Sequence, residues 1–128
     1  MRKYHNKPTI YNGVRYASAL EARTAQWLNL MRKAGEVAFW DSQVDFLLKG
    51  YSPQGQTILG GKRYWFKVGN YRADFRVVFN NNHEEIWECK SKPTRTALYQ
   101  LKLKILKTNY PTLIHREITK EDLPRILQ

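Results

Sequence analysis

Tyr71-Arg72-Ala73-Asp74-Phe75-Arg76-Val77-Val78-Phe79, the triplet Asn80-Asn81-Asn82, and Ile86-Trp87-Glu88-Cys89-Lys90 are the stretch on which the fold turns. Both flanks are rich in β-branched and aromatic residues, and the triplet is turn-forming, so the segment predicts two antiparallel strands. Each strand carries one acid amid apolar neighbours. A hairpin centred on Asn81 places Asp74 directly opposite Glu88, with Cβ atoms about 4.5–5.5 Å apart. Side chains alternate along a strand, so Glu88 and Lys90 share one face, and Trp87 and Cys89 take the other. Like charges facing each other across strands are destabilising, and burial adds to the cost unless positive charge sits between them. Lys90 supplies part of that charge. A divalent cation supplies it better: two carboxylates and a backbone carbonyl form the incomplete oxygen shell that Mg²⁺ takes when phosphate and water complete it.

Working upstream, strands are expected over Arg63–Val68 and Val44–Lys49. Between them, residues 50–61 hold Gly50, Pro53, Gly55, Gly60 and Gly61 and predict a long loop or hairpin tip. A helix is expected from Ala19 to Ala34, capped by Ser18 and stopped by Gly35, with Leu20, Trp27, Leu28, Met31 and Ala34 as its apolar stripe. Thr9–Tyr16 holds Asn12-Gly13 between β-formers, the strongest short hairpin signal. Residues 1–8 form a basic arm. Downstream, Pro93 breaks the Glu88 strand, and a second helix runs from Arg95 to Asn109 with Leu98, Leu101, Ile105 and Leu106 as its stripe. Thr112–Ile118 reads as a last strand, and Pro124 argues against more than a short helix in the tail. The outline is an α/β domain over residues 9–128: an α-βββ-α-β core, one mixed sheet flanked by helices, and an N-terminal β-hairpin.

The chain has 128 residues, the size of one domain, and a formal net charge of +11. Self-repulsion of that size points to a polyanionic partner, nucleic acid first and an anionic membrane surface second. No apolar run is long enough for a membrane span, and the basic start leads into no apolar signal region. One cysteine, Cys89, and three scattered histidines support neither a disulfide nor a zinc site, so a reduced, cytoplasmic protein is expected. The glycines fit neither G-x-G-x-x-G nor a P-loop, which argues against a nucleotide cofactor.

Plainer readings stand beside each candidate. Ser18-x-x-Glu21 is also a capping box. A bridge from Asp74 to Arg72 or Arg76, and an exposed Glu88–Lys90 ion pair on an edge strand, are the plainer readings of these residues. Arg95, Tyr99 and Lys102 recur on one helix face as a candidate phosphate contact, although lysines there also suit the helix dipole. Arg2, Lys3 and Lys7 interleave with Tyr4 and Tyr11, a mixture suited to DNA or to a solubilising tail. Lys62 and Arg63 beside Trp65 suggest a wedge at a DNA junction, against the simpler reading of a core tryptophan. His83 reads as a turn residue and Cys89 as a small buried hydrophobe.

A helix bearing Glu21, an acid at Asp74, and then Glu88-Cys89-Lys90 as Glu-x-Lys resembles the PD-(D/E)XK nuclease superfamily. The Ser18–Ala22 helix start, Gln43-Val44-Asp45-Phe46, Ala73-Asp74-Phe75 and the Tyr99/Lys102 helix resemble a small phage and prophage branch of it, over roughly residues 9–118. The layout is also similar to that of archaeal-type Holliday junction resolvases. Ala73 stands where the superfamily's name has proline. The resemblance implies a restriction-endonuclease-like fold and a metal-dependent DNA endonuclease leaving a 5′-phosphate and a 3′-hydroxyl. It implies that Asp74, Glu88 and the Cys89 carbonyl hold Mg²⁺, with Mn²⁺ able to substitute. Glu21 would act through water or a second ion, and Lys90 would orient and help deprotonate the attacking water. By analogy the substrate is branched DNA such as a Holliday junction, cut by a homodimer or with a partner protein, in a bacterial host cell if phage-encoded. The alternatives are a cleaving subunit of a larger phage recombination or packaging complex, and a non-catalytic basic nucleic-acid-binding module.

Overall fold

The computed structural model describes residues 7–52, 64–90 and 96–128. Its first element is the expected hairpin, β1 (Thr9–Tyr11) and β2 (Val14–Tyr16), turned by Asn12 and Gly13 at φ 53° and 79°. Helix α1 (Ala19–Lys33) starts where the Ser18 side chain accepts the Glu21 N–H, and ends before Gly35 at φ 84°. A four-stranded sheet follows in the order β3 (Val37–Tyr51), β4 (Trp65–Phe79), β5 (Glu84–Cys89), β6 (Ile114–Ile118). The first three strands are antiparallel and β5–β6 is parallel, with α2 (Ala97–Asn109) making the crossover. The protein is therefore a small α/β domain with a mixed sheet and two helices.

The β4–β5 register is the expected one: Phe75 pairs with Trp87 and Val77 with Glu85. Several boundaries differ. The separate strands expected at Arg63–Val68 and Tyr71–Phe79 are one continuous β4, because Gly69 and Asn70 pair with Leu48 and Leu47 in place of turning. β3 begins at Val37, well before Val44. α2 begins at Ala97, since extended Thr96 caps it by accepting the Tyr99 N–H. Its inward stripe is also different: Leu98 and Leu101 are exposed, and Tyr99, Leu103, Ile105 and Leu106 pack inward. The last strand starts at Ile114, after a turn at Pro111-Thr112, and two 3-10 turns, Lys120–Asp122 and Arg125–Leu127, close the chain. Most of the loop expected over 50–61, and Lys62, Arg63 and Pro93, lie outside the described residues.

Two clusters make the core. One joins Ala22, Ala25 and Leu28 of α1 to Phe75, Val77 and Trp87, with the Trp27 ring tilted against Trp87 at a centroid distance of 5.2 Å. The other joins Leu106 of α2 to Leu48, Tyr71, Ala73 and Ile86. Each large side chain so buried stabilises the fold by about 1.5–3 kcal/mol. Strand β4 serves the second cluster through Ala73 and the first from Phe75 onward, and the changeover falls at Asp74. Across the ladder, Gln43 occupies the break between the Ser42–Phe75 and Val44–Ala73 pairs, with φ 55°.

Candidate active site

The site lies where β4 and β5 part. Their ladder ends at Phe75–Trp87, one residue short of the expected Asp74–Glu88 pair. Asp74 turns its side chain into that gap, and its Oδ2 accepts the Cys89 backbone N–H at 2.8 Å. Arg72 and Arg76, its possible ion-pair partners, are engaged elsewhere: Arg72 with Asp45 at 3.9 Å and Arg76 with Glu84 at 2.7 Å. Glu88 is 4% exposed on an interior strand, which removes the edge-strand reading.

Glu21 enters from the first turn of α1 and is 6% exposed. The Ser18 cap holds the Glu21 amide at 3.2 Å, while the Ser18 hydroxyl and Gln43 Nε2 donate to its carboxylate at 3.5 and 3.4 Å. Capping and a place in the site are thus compatible. Burial raises the Glu21 carboxyl to about 7, helped by the charge of Asp74 and a hydrogen bond to it, and opposed by Ser18 and Gln43. Glu88 is pushed up to about 8, by burial first and by the Asp74 charge next, while the Tyr71 hydroxyl and Lys90 pull it down. One of its oxygens, Oε1, is buried without a hydrogen-bond partner. A buried carboxylate oxygen left unpaired costs about 1–3 kcal/mol or more.

Lys90 lies just past the end of β5, its Nζ 4.2 Å over the Tyr99 ring. The Tyr99 hydroxyl donates to Glu117 Oε2 at 3.1 Å and lies 3.1 Å from His115 Nε2. Tyr99 thus turns its hydroxyl inward beneath Lys90, while the residue still lines the cleft beside Lys102. Glu21, Asp74, Glu88, Cys89 and Lys90 all line one open cleft of ≈ 800 Å³.

The family described as "Protein of unknown function (DUF1064)" matches residues 1–122. The chain belongs to this family. No curated protein and no solved structure matches it.

In this DUF1064 chain, Lys7 and Lys102 also line the cleft, so part of the expected basic contact surface borders the carboxylates. Arg2, Lys3 and Arg95 lie outside the described residues. Cys89 contributes its amide to Asp74, and its thiol lies 3.4 Å from Thr24 Oγ1; burial pushes that thiol's pKa up, as befits a packed and unreactive cysteine. Two members were missed from sequence, Gln43 and Tyr71. Gln43 belongs to the Gln43-Val44-Asp45-Phe46 segment, but nothing in a glutamine announces φ 55°, and Tyr71 reads as one more strand aromatic. A third buried acid, Glu85, was missed too. It is held by Trp87 Nε1 at 2.8 Å, His83 at 2.7 Å and Arg116 at 3.3 Å, which accounts for it without chemistry.

Among the described residues, no group of three or more Asp, Glu, His and Cys side chains forms a finished metal cage. The donors still suit a hard divalent cation. They are carboxylates, they line one cleft, and one buried oxygen, Glu88 Oε1, lacks a hydrogen-bond partner.

Proposed function

We propose that this chain is a divalent-metal-dependent phosphodiesterase acting on DNA, with a restriction-endonuclease-like core of the PD-(D/E)XK type. The observation that carries this reading is the unpartnered, buried Glu88 Oε1 beside Asp74, in a cleft that also holds Glu21 and Lys90. Asp74 and Glu88 would hold Mg²⁺ or Mn²⁺, with the Cys89 carbonyl as a third donor and Glu21 acting through water or a second ion. When bound, the ion supplies Lewis-acid stabilisation and makes a nucleophile accessible at neutral pH. The chain's own residues do the rest. Lys90, steadied over Tyr99, would orient the attacking water and, through its positive charge, favour the loss of that water's proton to solvent. Lys7 and Lys102 neutralise phosphate at the rim. In-line attack on phosphorus breaks the bond to the 3′ oxygen, which takes a proton, leaving a 5′-phosphate. Branched DNA such as a Holliday junction is the substrate we favour, cut by a homodimer or with a partner protein.

A second reading, a basic binding module with structural carboxylates, draws on the absence of a finished metal cage among the described residues. Divalent binding separates the two. Mg²⁺ or Mn²⁺ should raise Tm and change DNA affinity in the wild-type protein, and Asp74→Asn should abolish both effects. No metal-induced change in either quantity would favour the binding module, for which Asp74→Asn leaves DNA binding intact or tighter.

A further inference from the structure

The outer end of the β3–β4 ribbon departs from what a solvent-facing hairpin needs. β5 pairs β4 only over Phe75–Val78, so the pairs Lys49–Lys67, Gly50–Phe66 and Tyr51–Trp65 belong to a ribbon of two strands. Tyr51 and Tyr64 are 59% and 57% exposed, and Phe66 and Val68 are exposed as well. Lys49 and Lys67 face each other directly, a like-charge pair that destabilises a ladder. Among the described residues neither has an acidic partner within ion-pair distance, and the Lys49 ammonium lies 4.7 Å over the Trp65 ring. Residues two apart on a strand share a face, and paired residues do too, so Lys49, Lys67, Tyr51 and Trp65 form one surface. Trp65 is half-buried and, among the described residues, belongs to neither core cluster.

We infer that this face docks single-stranded nucleic acid, the lysines meeting phosphates and the exposed rings stacking on unpaired bases. Charge selects the partner, since a chain of net charge +11 that sets two lysines face to face calls for an anion. The rings select the strand form, because duplex bases hide their faces in the stack and unpaired bases offer them. Strand β4 continues from this end through Asn70 and Arg72, both on the wall of the carboxylate cleft, to Asp74. At about 3.4 Å per residue, Phe66 lies roughly 27 Å along the strand from Asp74. Taken with the proposed nuclease reading, on which this consequence rests, the branched substrate carries an unpaired stretch several nucleotides from the phosphodiester to be cut.

The test is fluorescence anisotropy of a short labelled oligothymidylate, free or as a blunt duplex, in EDTA, so that it reads docking without cleavage. We expect the single strand to bind more tightly. Tyr51→Ala should weaken it about tenfold while leaving the duplex within about twofold. Lys49→Gln should weaken both ligands and lower the salt slope by about one. Equal affinity for duplex and single strand, or unchanged single-strand binding in the tyrosine variant, overturns the proposal; thermal unfolding of each variant verifies that it is folded. Asp74→Asn should bind the single strand like the wild type, so loss of cleavage in that variant and loss of docking in the ribbon variants are read independently.

Discussion

Burial and the neighbouring Asp74 raise Glu88 to about 8 and Glu21 to about 7, so each binds its proton more tightly folded than unfolded. Stability from such groups is fully present below the unfolded carboxyl pKa and is lost as pH rises through the folded one. Each raised carboxyl costs about 1.4 kcal/mol per pH unit across that window. The metal-free protein should therefore lose Tm between pH 4.5 and about 8. Glu88→Gln should flatten much of the slope, and Mn²⁺ at the alkaline end should restore Tm in the wild type alone; a flat wild-type profile would contradict the assigned burial. Lys90 gives a second expectation. Tyr99→Leu removes the ring beneath its ammonium, an interaction worth about 0.5–2 kcal/mol, and should slow cleavage up to about thirtyfold, whereas Tyr99→Phe keeps the ring and most of the rate. Equal rates for the two variants would refute the positioning role. The placing of Asp74 and Glu88 in one cleft was legible at this scale because acids inside apolar strands have few benign explanations. Gln43 was not, since its contribution is a backbone conformation.

Among the elements, α1 connects stability to the site most tightly, because Ser18 both caps the helix and touches Glu21. Ser18→Ala should cost about 1 kcal/mol, measured by denaturant unfolding. It should also raise the Glu21 pKa further, because one of the two groups holding it down is gone. Ser18→Thr, which keeps the hydroxyl, should restore most of the stability. The Asn12-Gly13 hairpin, α1 and the β4–β5 register were readable because each depends on local chemistry or on simple counting from a turn. The length of β3 and β4 was not readable. Gly69 and Asn70 look like a break, yet Leu47 and Leu48 on the facing strand hold them in the ladder. The inward face of α2 escaped for a similar reason. Tyr99 outcompetes Leu98 for the interior because Tyr71, His115 and Glu117 are there to meet its ring and hydroxyl.

For the whole molecule, two quantities govern how it meets a substrate: its net charge of +11 and the direction in which its basic residues converge. Lys7 and Lys102 border the carboxylate cleft, and Lys49 and Lys67 carry the charge outward along the ribbon. DNA affinity should fall steeply with salt, with a log–log slope of about −0.7 to −0.9 for each phosphate contacted, and Lys102→Gln should reduce that slope by about one. The α-βββ-α-β order and mixed sheet were legible from the sequence, because strand pairs joined by turns and one joined by a helix leave few topologies. No helix among the described residues is long and apolar enough to cross a membrane. The meeting of Glu21 with Asp74 and Glu88 was not derivable from spacing, since it depends on how α1 packs on the sheet. The measurement that bears most directly on the site is cleavage of a labelled four-way junction and a matched duplex in Mg²⁺, Mn²⁺ or EDTA, with Asp74→Asn alongside. We expect metal-dependent cutting that leaves 5′-phosphates, favours the junction and vanishes in the variant; cutting in EDTA, or equal cutting by Asp74→Asn, would contradict a carboxylate-held metal at this site.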